Sequence, residues 1–315
     1  SWLNNLKNID GELSLNKNDG LTSLKGLDSL QQVNNDFVIK DNAAIKSLNG
    51  VKSLSDIGGT LDIGASGSDD SAGKLADLSG LESVTHIGKL SLRRNLSLVS
   101  LHGLENVDTL PSITLSENSL LQSLSSLSGV THLDSLVING NAQLKNLEGL
   151  ENLDSIGTLQ ISSGYYVDGF GITSLKGIES IKSLKDLALN STLISDLSLF
   201  NTIPITHSLV LNNNQVTQLP HLAANSLEML EIVNERISNL DGVDNLTHLG
   251  SLMLNYNPYL NDISSLDKLS RIDGDLMVLG NESLCGSDAT ALLTQLQHAQ
   301  GVGGTVTLDG NKACN

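Results

Sequence analysis

Few residues of the sequence are candidates for catalysis or metal binding, and they do not form known catalytic or metal-binding motifs. The seven histidines are the first candidates for acid–base work or metal binding. Three of them, His86, His132 and His248, share one place in a recurring Thr-His-[Ile/Leu] segment, so repetition explains them better than ligation. No HExxH, GxSxG, phosphate-binding loop or CxxC pattern occurs. The sequence therefore predicts no catalytic residue and no cofactor.

Two segments of unusual composition hold the next candidates. Residues 64–77 are small, acidic and glycine-rich, but Asp69 and Asp70 are weak Ca²⁺ candidates because they lack the alternating spacing of an EF-hand loop. Residues 162–174 hold three of the few aromatic residues, Tyr165, Tyr166 and Phe170. Such a cluster can stack on a sugar ring or anchor a protein ligand. The alternative is that both segments are tolerated loops.

A repeat that runs through the whole chain must position these residues. Two apolar residues one residue apart are followed, three positions on, by a polar residue, and the pattern occurs thirteen times at steps of 21 to 30 residues. The second apolar residues are Leu15, Ile39, Ile63, Leu92, Leu115, Ile138, Ile161, Leu189, Leu211, Ile232, Leu254, Val278 and Leu308. The polar position is Asn at 18, 42, 95, 118, 141, 214, 257, 281 and 311, with Ser66, Gly164, Thr192 and Glu235 as exceptions.

The repeat predicts local structure directly. Alternation across Leu136-Val137-Ile138 places two side chains inward and one outward, which is typical of a short strand with one buried face. The Asn that follows can donate to and accept from backbone groups that a tight turn leaves unpaired. On the return side, residues such as Leu147 and Leu150 recur every three positions, which favours short 3₁₀ turns or extended segments over regular helices. Glycines such as Gly149 let neighbouring coils approach closely.

The L-x-L-x-x-N pattern at this spacing resembles the leucine-rich repeat solenoid, and the resemblance covers the whole chain. The companion segments LTSLKGLDSLQQV and LKNLEGLENLDSI resemble the receptor L domain-like repeats of secreted and cell-surface proteins, including bacterial ones. The resemblance implies a parallel sheet of about thirteen short strands and a role in extracellular recognition or adhesion. We expect residues 1–284 to form the solenoid, beginning within a repeat, and residues 285–315 to form a continuous C-terminal cap.

The cap region contains one helix and the two cysteines. SDATALLTQLQHAQG predicts an amphipathic helix that starts at Ser287 or Asp288 and stops at Gly301. Cys285 and Cys314 follow the last two apolar pairs by seven and six residues, so they occupy near-equivalent places on adjacent coils, about 5 Å apart. A disulfide is therefore predicted, and it favours an oxidising compartment. Two buried free thiols are the alternative.

The outward strand positions are where a solenoid usually binds. Most of them are small and uncharged here, but all three methionines lie outward on three successive strands near the C-terminus. Exposed apolar clusters commonly mark interaction sites, and methionine suits adaptable surfaces. The candidate ligand-binding residues are therefore Met229, Val233, Met253, Met277 and Leu279, together with the aromatic segment. The alternatives are that the cap or an adjacent loop buries them, or that they are incidental.

Composition narrows the classes of partner. With 18 basic and 35 acidic residues the formal net charge is −17, which makes nucleic acid an improbable partner. No apolar run approaches the ~20 residues of a membrane span. We therefore expect a secreted or cell-surface protein that recognises a protein or surface glycan without catalysis. The alternatives are a carbohydrate-binding protein that uses the aromatic segment and a passive spacer of a cell envelope or matrix.

Overall fold

The computed structural model describes residues 2–67, 74–164 and 171–314 of the chain. The strands of this part are β1 (Asn8–Ile9), β2 (Leu13–Asn16), β3 (Gln32–Val33), β4 (Phe37–Lys40), β5 (Asp56–Gly64), β6 (His86–Arg93), β7 (Ser112–Ser116), β8 (His132–Asn139), β9 (Ser155–Ser162), β10 (Leu184–Asn190), β11 (Ile205–Asn212), β12 (Ser226–Val233), β13 (His248–Asn255), β14 (Arg271–Ile272), β15 (Leu276–Leu279), β16 (Gly301–Val302) and β17 (Val306–Asp309). One α-helix, α1 (Gly286–His298), lies between β15 and β16.

Each of the thirteen predicted apolar pairs lies in a strand, so the assignment of strands from the repeat is confirmed. The sequence did not predict the two-residue strands β1, β3, β14 and β16, which precede the main strand of their coil. In several coils, including those of β5 and β6, the equivalent residues extend the main strand to nine and eight residues. These segments carry a single inward apolar residue each, which is too short a signal for a strand prediction.

The described residues form two compact units. The first comprises Ser1–Ile156 and Ser162–Ile181, and within it β2, β4, β5, β6, β7 and β8 pair successively in parallel. The second comprises Gly157–Ile161 and Lys182–Asn315. Within it β10, β11, β12, β13, β15 and β17 pair successively, again in parallel. A parallel strand repeated once per coil is the arrangement of a repeat solenoid.

The core of each unit is built from the paired apolar residues and the return-side leucines. Leu136 and Ile138 are at most 2% exposed, whereas Val137 between them is half-buried on the outer face. The inward residues of the last strand are covered less completely, since Val306 is 39% exposed. Stacking of successive coils therefore supplies most of the burial, as expected for a repeat whose single unit cannot cover its own apolar face.

The predicted asparagine ladder is present in both units. Asn141 shows its geometry: Oδ1 accepts the backbone N–H of Asn118 at 3.2 Å, and Nδ2 donates to the carbonyl of Leu115 at 2.8 Å. Asn257 repeats it in the second unit, accepting from the N–H of Glu235 at 2.9 Å and donating to the carbonyl of Ile232 at 2.9 Å. Both amides are at most 2% exposed. Asn141 and Asn257 thus satisfy buried backbone groups of the coil before them.

Glu235 occupies a ladder position as a fully buried carboxyl group. Its Oε1 accepts the backbone N–H and the side-chain Nδ2 of Asn214, both at 2.8 Å, and its Oε2 accepts the N–H of Val216 at 3.1 Å. Burial raises the pKa of Glu235 above its usual value, against the lowering effect of these hydrogen bonds. Glu235, whose side chain is one methylene longer than that of Asn, therefore takes a ladder position as a hydrogen-bond acceptor.

The return side consists of turns and short 3₁₀ helices, as predicted. The 3₁₀ segments are Trp2–Asn5, Ser125–Leu127, Ser198–Asn201 and Ser264–Leu266. Gly149 confirms the expected close approach of coils, because a Cβ there would lie 2.4 Å from the carbonyl carbon of Leu124. Its φ of 109° also lies in the left-handed region that favours glycine. Its N–H donates to the carboxylate of Glu151 at 2.9 Å, so part of the acidic composition serves these turns.

The C-terminal residues contain the predicted helix and a disulfide. Helix α1 begins at Gly286, one residue before the earlier of the two predicted starts, and packs Ala289, Leu292 and Leu296 inward. Cys285 and Cys314 are bonded, with their Cα atoms 5.5 Å apart, which confirms the predicted bridge. No helix in the described ranges combines the length and apolar character needed to cross a membrane. The division into domains at residue 284 stays a prediction.

Candidate interaction surface

The strand register of the second unit brings the methionines to the outer face of the sheet. Met253 of β13 pairs directly with Met277 of β15. Met229 pairs with Ser251 instead, so it lies diagonally beside Met253. All three side chains are half-buried. Met253 and Met277 each lie between two buried residues, and Met229 directly precedes the buried Leu230. The predicted outward orientation is therefore confirmed, and none of the three side chains is fully buried.

We call the five candidate residues on this face, Met229, Val233, Met253, Met277 and Leu279, the methionine surface. Val233 and Leu279 lie on either side of Asn255 in one row, two residues beyond the row of the methionine pair. Glu231 borders Met253 in the row of the pair, and Thr307 borders Met277 on its other side. The surface is thus an apolar area two strands wide at its centre, with polar residues on both sides. This arrangement resembles the core and rim of an interface.

The outward positions around this surface carry one sign of charge. Three positions in each of β10–β13, β15 and β17 belong to this set: the residues directly before, between and after the apolar pair. None of them is basic, and four are carboxylates, namely Asp186, Glu231, Asp275 and Asp309. Burial by itself raises the pKa of Asp186, but hydrogen bonds from Ser208 at 2.7 Å and His207 at 2.6 Å leave it lowered. The part of the sheet formed by these positions is therefore negative at neutral pH.

The structure also shows two exposed aromatic residues that the sequence analysis did not single out. Tyr256 and Tyr259 are 60% and 58% exposed at the edge of the sheet after β13. Tyr256 has a left-handed backbone with φ of 56°. Its ring lies against Gly280, where a Cβ would come within 2.5 Å of the ring. The signal that was available is the segment Asn255-Tyr256-Asn257-Pro258-Tyr259, in which two tyrosines flank the buried ladder residue.

Other predicted site residues lie outside the described ranges. They are Asp69, Asp70, Tyr165, Tyr166 and Phe170. Asp77, at the end of the acidic segment, is described, and its carboxylate accepts the N–H of Ser79 at 3.0 Å. Within the described ranges no group of three or more His, Cys, Asp or Glu side chains comes together to hold a metal ion.

One contact in the first unit has the residue types of a catalytic triad. His132 Nδ1 lies 2.6 Å from Ser155 Oγ, and its Nε2 lies 3.0 Å from Asp134 Oδ1. However, the side chains of His132 and Asp134 are 58% and 73% exposed, so water solvates both groups. Nucleophilic catalysis depends on a dry site with aligned oxyanion donors. This contact therefore has the character of a surface hydrogen-bond chain, like the His248–Asp273 pair at 2.8 Å.

Comparison with known proteins agrees with this architecture. An internalin, InlF from Listeria monocytogenes strain 4b F2365, aligns with 97% of this chain and 82% of its own, with a TM-score of 0.55 and 19% identity. The chain has the leucine-rich repeat fold. A TLR13–ssRNA13 complex aligns with 99% of this chain and 60% of its own, with a TM-score of 0.40 and 14% identity. No protein-family model and no curated protein matches the sequence.

The leucine-rich repeat fold confirms the predicted fold class, but it does not assign a ligand, because one fold serves many functions. The narrower resemblance to receptor L domain-like repeats stays a prediction.

Proposed function

We propose that this chain is a non-catalytic recognition module that binds a protein through the methionine surface. The observation that carries the proposal is the direct pairing of Met253 with Met277 on the outer face of a parallel sheet. Partly exposed apolar side chains at neighbouring positions favour association, and unbranched methionines adapt to a partner at low cost.

The charge of the surrounding face indicates the chemistry of the partner. The positions beside the apolar pairs of β10–β13, β15 and β17 include four carboxylates and no basic side chain, so a basic protein surface with an apolar centre is complementary to them. The same charge disfavours an acidic protein or a nucleic acid. Electrostatic attraction of this kind mainly accelerates association and weakens as salt is added.

We further propose that the protein acts outside the cytoplasm, either secreted or at a cell surface, where it serves recognition or adhesion. The disulfide between Cys285 and Cys314 supports this location, because such bonds persist in oxidising compartments. The aromatic segment that holds Tyr165 and Tyr166 stays part of the proposal as a second contact region.

The test is to replace Met253 and Met277 together by Lys and to measure binding to a protein ligand captured with the wild-type chain. We expect the affinity to fall by about 2 kcal/mol or more, which is about thirtyfold, because two apolar side chains at the centre of the proposed interface would become charged. The melting temperature should change little, since both side chains point away from the core. Thr114→Lys with Val137→Lys places two lysines at the same strand position of the first unit and serves as the matched control.

The outcomes separate the alternatives. Equal loss of binding in both double variants would show a general effect of charge and contradict the assignment of the methionine surface. Unchanged binding in Met253→Lys/Met277→Lys, with loss in Tyr165→Ser/Tyr166→Ser, would favour glycan recognition by the aromatic segment. A chain that captures no ligand under oxidising conditions would favour the passive spacer.

A further inference from the structure

A second candidate site lies in the second unit, beside the strand ends rather than on the face of the sheet. It is a half-open depression of ≈ 280 Å³ among the residues that follow β11, β12 and β13. Its exposed and half-exposed lining consists of Asn213, Gln215, Asn234, Arg236, Pro258 and Tyr259. The fully buried Glu235 lies beneath them. Three successive coils thus contribute side chains to one concave area.

The basic residue of this depression has no partner among the described residues. The guanidinium of Arg236 forms no hydrogen bond or ion pair there, although the chain is strongly acidic. The neighbouring carboxyl group of Glu235 is buried and faces the N–H groups of Asn214 and Val216. Arg236 is therefore free to bind an external acid, and a guanidinium binds a carboxylate through two parallel hydrogen bonds.

The remaining lining residues suit a polar ring. The hydroxyl group of Tyr259 and the amide of Gln215 form no hydrogen bond within the described residues, whereas Asn234 Nδ2 donates to Asn213 Oδ1 at 2.6 Å. Tyr259 is 58% exposed next to Pro258, and these two side chains offer apolar surface of the kind on which the C–H face of a pyranose stacks. A volume of ≈ 280 Å³ lies just below the range typical of sites for drug-sized ligands, which suits one sugar residue.

We propose that this depression binds a carboxylate-bearing pyranose, such as a uronic acid residue of an acidic glycan. Tyr259 and Pro258 support the ring, Arg236 pairs with the carboxylate, and Gln215 contacts ring hydroxyls. The site is separate in its residues from the methionine surface. It does not depend on the proposed protein recognition.

The test compares methyl β-D-glucuronide with methyl β-D-glucoside by saturation-transfer NMR and titration at up to about 10 mM, the range in which single-sugar sites bind. We expect the wild-type chain to bind the glucuronide with a millimolar dissociation constant and the glucoside at least fivefold more weakly. Arg236→Gln should abolish this preference, and Tyr259→Ala should remove binding of both sugars. Arg271→Gln removes another exposed guanidinium of the same unit, and Tyr256→Phe alters the neighbouring tyrosine, so both controls should bind as the wild type does.

Each other outcome overturns the proposal. If the wild type shows no saturation transfer to either sugar, the proposed binding site is refuted. If the two sugars bind equally, the proposed pairing of Arg236 with the carboxylate is refuted. Binding that survives both Arg236→Gln and Tyr259→Ala, in chains that unfold at the wild-type temperature, places the sugar elsewhere. Met253→Lys/Met277→Lys should leave glucuronide binding unchanged, so failure of the protein-binding proposal and failure of the glycan proposal are read independently.

Discussion

Replacement of the ladder residue Asn141 by Ala tests the hydrogen-bond arrangement on which the coils depend. The side chain is 2% exposed and makes four hydrogen bonds. Two of them satisfy backbone groups of the preceding coil, the N–H of Asn118 at 3.2 Å and the carbonyl of Leu115 at 2.8 Å. Alanine leaves both backbone groups without this partner in a buried place. At about 1 kcal/mol for each group, with a further contribution from the lost packing, we expect a loss of about 2–3 kcal/mol.

The matched control is Asn139→Ala, two residues earlier in the same coil. Asn139 points outward, and its Oδ1 has no hydrogen-bond partner, so its removal should cost less than about 0.5 kcal/mol. Urea unfolding followed by circular dichroism gives both free energies, provided that the slopes of the transitions agree between variants. Equal destabilisation by the two substitutions would refute the ladder as the source of the effect.

Two further predictions concern the second unit. Because burial raises the pKa of Glu235, the unfolded chain ionises first as pH rises, so the stabilisation is present below the ordinary carboxyl pKa and is lost as pH passes the raised value. The unfolding free energy of the wild type minus that of Glu235→Gln should therefore fall as the pH rises above about 4, the ordinary carboxyl range, and a flat difference in urea titrations would contradict the raised pKa. Non-reducing mass spectrometry should find Cys285 linked to Cys314, and reduction of this bridge, which spans 29 residues, should cost roughly 3 kcal/mol of stability; two thiols that alkylate in the native protein would exclude it.

Much of the fold was predictable because the same sequence pattern recurs many times and predicts the same local structure each time. Leu136 and Ile138 are unremarkable alone, but thirteen equivalent pairs fix which residues face inward and where each strand lies. The role of Asn141 followed for the same reason, since a buried amide after a strand can both donate and accept. Glu235 shows what the repeat could not predict. Its spacing placed it in the ladder, but whether its carboxyl group is buried or faces solvent depends on the neighbouring coils.

The candidate sites were predictable only in part. The outward orientation of Met253 followed from strand alternation, whereas its direct pairing with Met277 required the register between strands. Arg236 and Tyr259 were not predicted, because they lie after the strands, where the chain turns and no periodic pattern assigns a direction to a side chain. Their common depression arises from three coils, and no single coil carries a signal for it.

The direction of the ladder has a consequence for how the chain is made. Asn118, Asn141, Asn257 and Asn281 each accept the N–H of a ladder residue in the coil that precedes them in sequence. Synthesis proceeds from the N-terminus, so at these four steps a coil that has left the ribosome lacks its acceptor until the next coil has been translated. Folding during synthesis should therefore lag translation by one coil, and a pause within a coil would leave the previous turn open until the next asparagine emerges.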